Sequence, residues 1–380
     1  MKVQTKPSPT KKDVRVHYKG GNKSLFSAVL RDRVNDYFST RSKYADWRMV
    51  TKMVIVTMIL VGTYVAIISG QFSHMAMLGL AMFYGLMVPV FLFNVGHDAS
   101  HGAFSSNKKV NECLNYSWNL MGTSSYLWTL KHNVSHHAYT NVAGGDVDID
   151  QGFFFRFHPF TPRKKHHRYQ HLYAPLLYGI WSLYFQFFRE FELMTLKKIG
   201  NRSFSGHPRR EWIILIVTKL VYVGYALMIP FLVLDLLWWE LLIGFVAMHL
   251  VAGNFTIFSL VSAHINFGTH FHEPDEDGAI DGNWSEHQLE STIDFASNNR
   301  FLSGMLGGLN LHVCHHLLPQ ICHIHYFDLT KIIRETAQEF DLDYKNVSYW
   351  RIIKGHLAFL KMLGREDGQL EGKGIGLGKV

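Results

Sequence analysis

The chain has 380 residues, 48% apolar and only 18% charged, with a formal charge of +8 and a mean hydropathy near zero. An aromatic share of 14% excludes a disordered chain, and 31 Gly and 10 Pro without a period exclude collagen-like and low-complexity classes. Three cysteines (Cys113, Cys314, Cys322) cannot build a disulfide framework, whereas the 23 histidines, the commonest metal-ligand type, call for an explanation.

Residues 1–52 are basic and polar, with no short apolar core before a small-residue cleavage site, so no signal peptide is expected. Two uncharged blocks follow, Met53–Gly70 and Met75–Val95, each about the 20 residues needed to cross a bilayer as a helix. Directly after the second comes His97-Asp-Ala-Ser-His101. Leu114–Leu130 is apolar but broken by Gly, Ser and Asn, which suits helices at the interface or over a cap. Next is His132-Asn-Val-Ser-His136-His137, then a basic run holding His166, His167 and His171, read as a headgroup or partner surface. Leu172–Phe188 resembles Leu114–Leu130 in character. Trp212–Leu234, with Lys219 inside it, and Trp238–Ser262 give two more spans. His312-Val-Cys-His315-His316 lies beyond them, and a Gly-rich stretch over 364–380 reads as a flexible tail.

Only residues 71–74 and 235–237 separate the members of each pair, so the spans form two tight hairpins. Lys and Arg number 13 in residues 1–52, 14 in 96–211 and 10 in 261–380, and the hairpin loops have none. The positive-inside rule then puts both termini and the middle segment in the cytoplasm. The positive charge is a topology and lipid-surface signal rather than one for nucleic acid. The expected fold is an all-α integral membrane protein: four transmembrane helices and a cytoplasmic helical cap over 96–211 and 263–363, within a functional unit running from 53 to 363.

Residues three or four apart share a helix face, so each histidine motif aims imidazoles at one point. Eight imidazoles exceed the needs of one zinc and suggest two ions of coordination four or five. Such ions at span ends, beside apolar helices, are placed to oxidise a lipid chain with dioxygen. A metal transporter is the reading from another class, but it would place ligands within the spans. Lone histidines at span ends, His74 and His249 among them, read as interface residues.

The three motifs resemble the boxes of the membrane fatty acid desaturases. Gly96–Asn107 is similar to the first box with its flanks, Lys131–Asn141 followed by Gly145, Asp146 and Asp148 to the second, and Gly307–Pro319 to the third in its acyl-lipid and front-end form. The resemblance runs from about residue 50 to 363. It implies a cytoplasmic di-iron centre that inserts a double bond into a fatty acyl chain with dioxygen and two electrons. The metal ligands it implies are His97, His101, His132, His136, His137, His312, His315 and His316, with a ninth at His264 in Ser259-Leu-Val-Ser-Ala-His264; His270 and His272 compete for that place. On chemical grounds Asp98, Asp146, Asp148 and Asp150 are expected to support the ligands, the last two with a solvated loop as the alternative. Asn310 is expected to hold water or a helix start, and His323 and His325 to lie just outside the ligands or at the surface. Trp118, Tyr126 and Trp128 are expected to line an acyl cleft or, equally, to anchor at the membrane interface.

The chain departs from many front-end members in carrying His312 where they have Gln. It also lacks their His-Pro-Gly-Gly haem motif: His207-Pro-Arg-Arg and His158-Pro-Phe do not match it. A separate ferredoxin or cytochrome b5 is therefore the expected electron donor. The acyl group could ride on a membrane lipid, CoA or a carrier protein. A bacterial inner membrane is the expected location, with the endoplasmic reticulum as the alternative. A related hydroxylase or ketolase shares the same metal logic and stays open. Oligomeric state is not legible.

Overall fold

The structure, a computed structural model, describes residues 15–21, 23–150 and 153–365. The expected tail therefore falls almost wholly outside the described residues, as do the first 14 positions.

Among the described residues, four helices are long and apolar enough to cross a membrane: α2 (Trp47–Ile68), α3 (His74–Ser100), α5 (Arg209–Val233) and α6 (Trp238–Ala263). Around them lie α1 (Leu25–Tyr37), α4 (Gln170–Tyr184), α7 (Trp284–Glu290), α8 (His312–Leu317), α9 (Tyr326–Glu339) and α10 (Tyr349–Leu363). Two boundaries differ from the sequence reading for identifiable reasons. The α2 helix begins six residues early because the Asp46 carboxylate caps it, accepting from the N–H groups of Arg48 and Met49. The α3 helix does not stop at Val95: it passes through a π turn at Leu92–Gly96 and carries the first box on its last turn.

The α2 and α5 helices turn apolar faces outward, with Val54, Met58, Val61 and Val65 exposed on one and Ile213, Ile216 and Leu220 on the other. In water such faces would be costly; against lipid they are the required surface. The α6 helix sits between α3 and α4. Small residues permit this close packing. A Cβ on Gly85 of α3 would lie 2.2 Å from the Met248 carbonyl oxygen, and one on Gly253 of α6 would lie 2.3 Å from that of Tyr178.

Lys219, the lone charge in the third span, faces inward. Its ammonium donates to the Gly122 carbonyl at 2.5 Å and pairs with the buried Glu190 carboxylate, which also accepts from the Ser124 N–H at 2.6 Å. The pair ties the chain between the first two boxes to α5.

The cap is woven from three distant parts of the chain. His17–Tyr18 pairs in parallel with Ala279–Ile280, and Asp294–Phe295 with Asn346–Val347. Phe26, Leu30 and Val34 of α1 pack with Leu329 and Ile333 of α9 and Val313 of the third box. Each fully buried aliphatic side chain contributes about 1.5–3 kcal/mol relative to exposure. Leu114–Leu130 resolves into short helices broken at Gly122, and α4 packs along α6.

Candidate metal centre

The three boxes meet where the spans join the cap. The first and third behave as ordinary helical faces: His97 and His101 are four apart, and His312, His315 and His316 share the single turn of α8. The second does not. Residues Leu130–His136 form a π turn in which the His137 N–H reaches the His132 carbonyl, so rings five apart, not four, fall together. His132 and His137 thereby face each other with Nε2 atoms 3.2 Å apart.

Nine imidazoles converge. His97, His101, His132 and His315 place ligating nitrogens within 4.8 Å of one another, as do His136, His264 and His316. His137 sits with His315 and His316 at the seam between these groups. His312 joins the second group, its Nε2 lying 2.8 Å from that of His264. The fourth span thus ends by delivering His264 to the centre. His270 and His272 instead turn away toward Glu290, at 3.5 Å and 3.8 Å.

Outer partners fix the ring orientations. Nδ1–H donates from His136 to Asp146 at 2.9 Å, from His264 to the Ser291 carbonyl at 3.0 Å and from His312 to the Leu309 carbonyl at 2.7 Å. His316 Nδ1 donates to the Gln288 amide oxygen at 2.9 Å. Each bond leaves the lone pair on Nε2. Two such lone pairs facing across 2.8 Å, in His264 and His312, repel unless a cation lies against both. The Nε2 atoms of His101, His315 and His316 are likewise buried without a hydrogen-bond partner. The donor set fits transition-metal ions and nothing weaker.

Burial, then repulsion from neighbouring rings, holds His101, His132, His137, His315 and His316 well below the usual imidazole range, in the neutral ligating form. His136 is the exception. Burial, the largest influence, opposes its charge too, but the Asp146 carboxylate and the nearby Asp148 together outweigh it and raise the pKa of the ring.

Other expected residues sort by contact. Asp98 accepts from the ring and backbone of His323, at 2.8 Å and 3.2 Å, locking the first box to the chain after the third. Asp148 pairs with Lys131 at 2.5 Å and stands 4.0 Å from His136. Asp150 engages His158 and the Gly144 N–H instead, and Asn310 spans Ser303 and the Phe295 carbonyl. His325 is buried beside Tyr37 and Phe38, away from the nine rings. His167 is fully buried and bonded to Phe153 and Lys164, so it anchors the run, while Lys164, Lys165, His166 and Arg168 stay exposed around it. His249 is no interface residue: it is buried inside α6 between Ser182 and Tyr222, at 2.9 Å and 2.7 Å. His74 does sit at a span end, paired with Glu240. Gln288, Ser291 and Leu309 support ligands without any local signal, because their reach is purely tertiary.

An apolar cavity runs from the centre into the span bundle. His132, His136, His264 and His312 of the centre line it, together with Trp118, Trp128, Phe155, Phe185, Tyr222 and Met248. Trp118 and Trp128 stack at 4.0 Å. Tyr126 does not line it; its hydroxyl meets His207 at 2.9 Å.

A family model described as fatty acid desaturase matches residues 72–348. The chain is 34% identical over 344 residues to an "sn-1 linoleoyl-lipid 6-desaturase" of Synechocystis sp., covering 90% of this chain and 96% of that one. It is 30% identical to the protein of the same name from Arthrospira platensis, covering 89% and 92%. An "Acyl-lipid (8-3)-desaturase" of Physcomitrium patens is 29% identical, covering 95% and 76%.

Proposed function

The chain belongs to the fatty acid desaturase family and is an integral membrane oxidoreductase of fatty acyl chains, and from that premise we propose that its nine converging histidines hold two iron ions. The first ion would take His97, His101, His132 and His315, the second His136, His264, His312 and His316, with His137 at the seam. The observation that carries this reading is the facing pair of lone pairs on His264 and His312 in the wall of an apolar cavity.

When bound, such a centre supplies oxidation of an unactivated C–H bond by dioxygen. The overall reaction takes one hydrogen from each of two adjacent carbons and, with two electrons and two protons from outside, reduces dioxygen to two waters. The chain's own residues perform the rest. The aromatic cavity wall strips water from the acyl chain and holds it against the four histidines. Asp146, the Gln288 amide and the Ser291 and Leu309 carbonyls keep the ligating nitrogens aimed. Asp98 and His323 hold the first and third boxes in register.

The relatives' names favour an acyl group carried on a membrane lipid over one on CoA or a carrier protein. The lysine and arginine distribution supports a cytoplasmic cap and termini. A bacterial inner membrane, with the endoplasmic reticulum as the alternative, and a separate ferredoxin or cytochrome b5 as electron source complete the reading. Expression in a host without desaturases, followed by mass spectrometry of its lipids, tests the activity. Acyl species lighter by two hydrogens are expected; species heavier by one oxygen would make the protein a hydroxylase.

A further inference from the structure

His270 and His272 have no place among the nine rings, yet they are not idle. Both approach one carboxylate oxygen of Glu290, from His270 Nδ1 at 3.5 Å and His272 Nε2 at 3.8 Å. A third ring, His287, lies against His272 with centroids 4.7 Å apart. His287 is 3% exposed, and its Nε2 lies 2.6 Å from the Thr140 carbonyl, so that nitrogen carries the hydrogen. Its lone pair is therefore on Nδ1, which is buried with no hydrogen-bond partner, as is His272 Nε2. A ligating histidine that anchors its other nitrogen on a carbonyl has this arrangement. Donors each about 2.0–2.2 Å from a tetrahedral ion stand about 3.3–3.6 Å apart, close to the two separations seen here.

The backbone holds all four residues in place. The His270 N–H bonds the Glu290 carbonyl at 2.9 Å, the His272 N–H bonds that of Asn141 at 3.1 Å, and the Ala143 N–H bonds that of His272 at 2.9 Å. His287 and Glu290 are three apart on α7 and share a face. Glu290 and His270 are partly exposed, which leaves an ion a path in from water.

We propose that His270, His272, His287 and Glu290 form a second metal site, for one divalent ion of the zinc type, separate from the nine-histidine centre. Three imidazoles and one carboxylate make a closed four-ligand set suited to a structural ion. Its place gives it a purpose: it bolts the chain leaving the fourth span to α7, and α7 and the residue after it supply the Gln288 and Ser291 contacts to His316 and His264. None of its ligands belongs to the proposed iron set, so the two assignments stand or fall separately.

The test uses the full chain purified in detergent, depleted with chelator, then exposed to Co2+ or Zn2+ and dialysed, with bound metal measured per chain. Wild type should retain one equivalent more than Glu290→Gln and than His272→Ala, and the same difference should persist in a His315→Ala background. The Co2+ form should show tetrahedral visible absorption that Glu290→Gln lacks. Equal retention by wild type and Glu290→Gln, whose half-exposed side chain can change without cost to the fold, overturns the site. A difference that vanishes in the His315→Ala background overturns it as well, since the extra metal would then belong to the boxes.

Discussion

His264 and His312 meet nitrogen to nitrogen at 2.8 Å while each gives its other N–H to a backbone carbonyl. That geometry ties the end of the fourth span to the third box, and it separates ligands from bystanders. His264→Ala should lose bound iron and at least about 10–100-fold of desaturation, as a box histidine would. His166→Ala, which removes a ring whose Nε2 donates to the Phe153 carbonyl at 2.6 Å, should lose at most a few-fold. Metal analysis and lipid profiling at matched membrane abundance check both; near-normal activity in His264→Ala would remove it from the ligand set.

Lys219 and Glu190 form a buried pair, so removing one partner strands the other. Lys219→Met should cost about 3–5 kcal/mol, because Glu190 is left as an unpaired carboxylate. The double variant Glu190→Gln/Lys219→Met should recover much of that loss. Denaturation of the detergent-solubilised proteins, arranged as a double-mutant cycle, measures the coupling.

Asp294 provides a pH signature. Burial lifts its pKa to about 7, against hydrogen bonds from Tyr344 and from backbone N–H groups at the start of α8, which lower it. Between the usual carboxylate value near 4 and about 7, the folded chain keeps a proton that the unfolded chain has released. This group's contribution is greatest below that window and is lost as pH rises through it. Asp294→Asn cannot ionise, so its unfolding midpoint should gain on wild type between about pH 4 and 7. A constant difference across that range would contradict the assignment.

Topology can be read with single cysteines and an impermeant reagent. Sites at 72 and 236 should label from outside the cell, and a site at 160 only after permeabilisation. Labelling of 160 from outside would put the second box on the wrong side of the membrane from the first.

Much of this was legible in the chain because it is written locally. Spans and hairpin loops follow from contiguous apolar length, and the boxes from short spacing. Box two shows the limit: the spacing of His132, His136 and His137 predicts an α face, whereas the π turn pairs residues five apart. That choice is made by packing around the rings. The same holds for His249 and His167, whose burial depends on Tyr222 and Phe153, residues far from them in sequence. His264 could be singled out only by likeness, since nothing local distinguishes it from His270 or His272; the fold decides by sending the latter two toward Glu290.

The weaving of the cap has a consequence for how the protein is made. Its donors run from His97 to His316, on segments separated by two complete spans, and its strand pairs join residues near 17 to those near 280. A growing chain can thread all four helices into the bilayer long before His312 has left the ribosome. The nine-histidine cluster is thus completed only at the end of biosynthesis, and a chain stopped before α8 would be a well-inserted membrane protein with six of the nine rings.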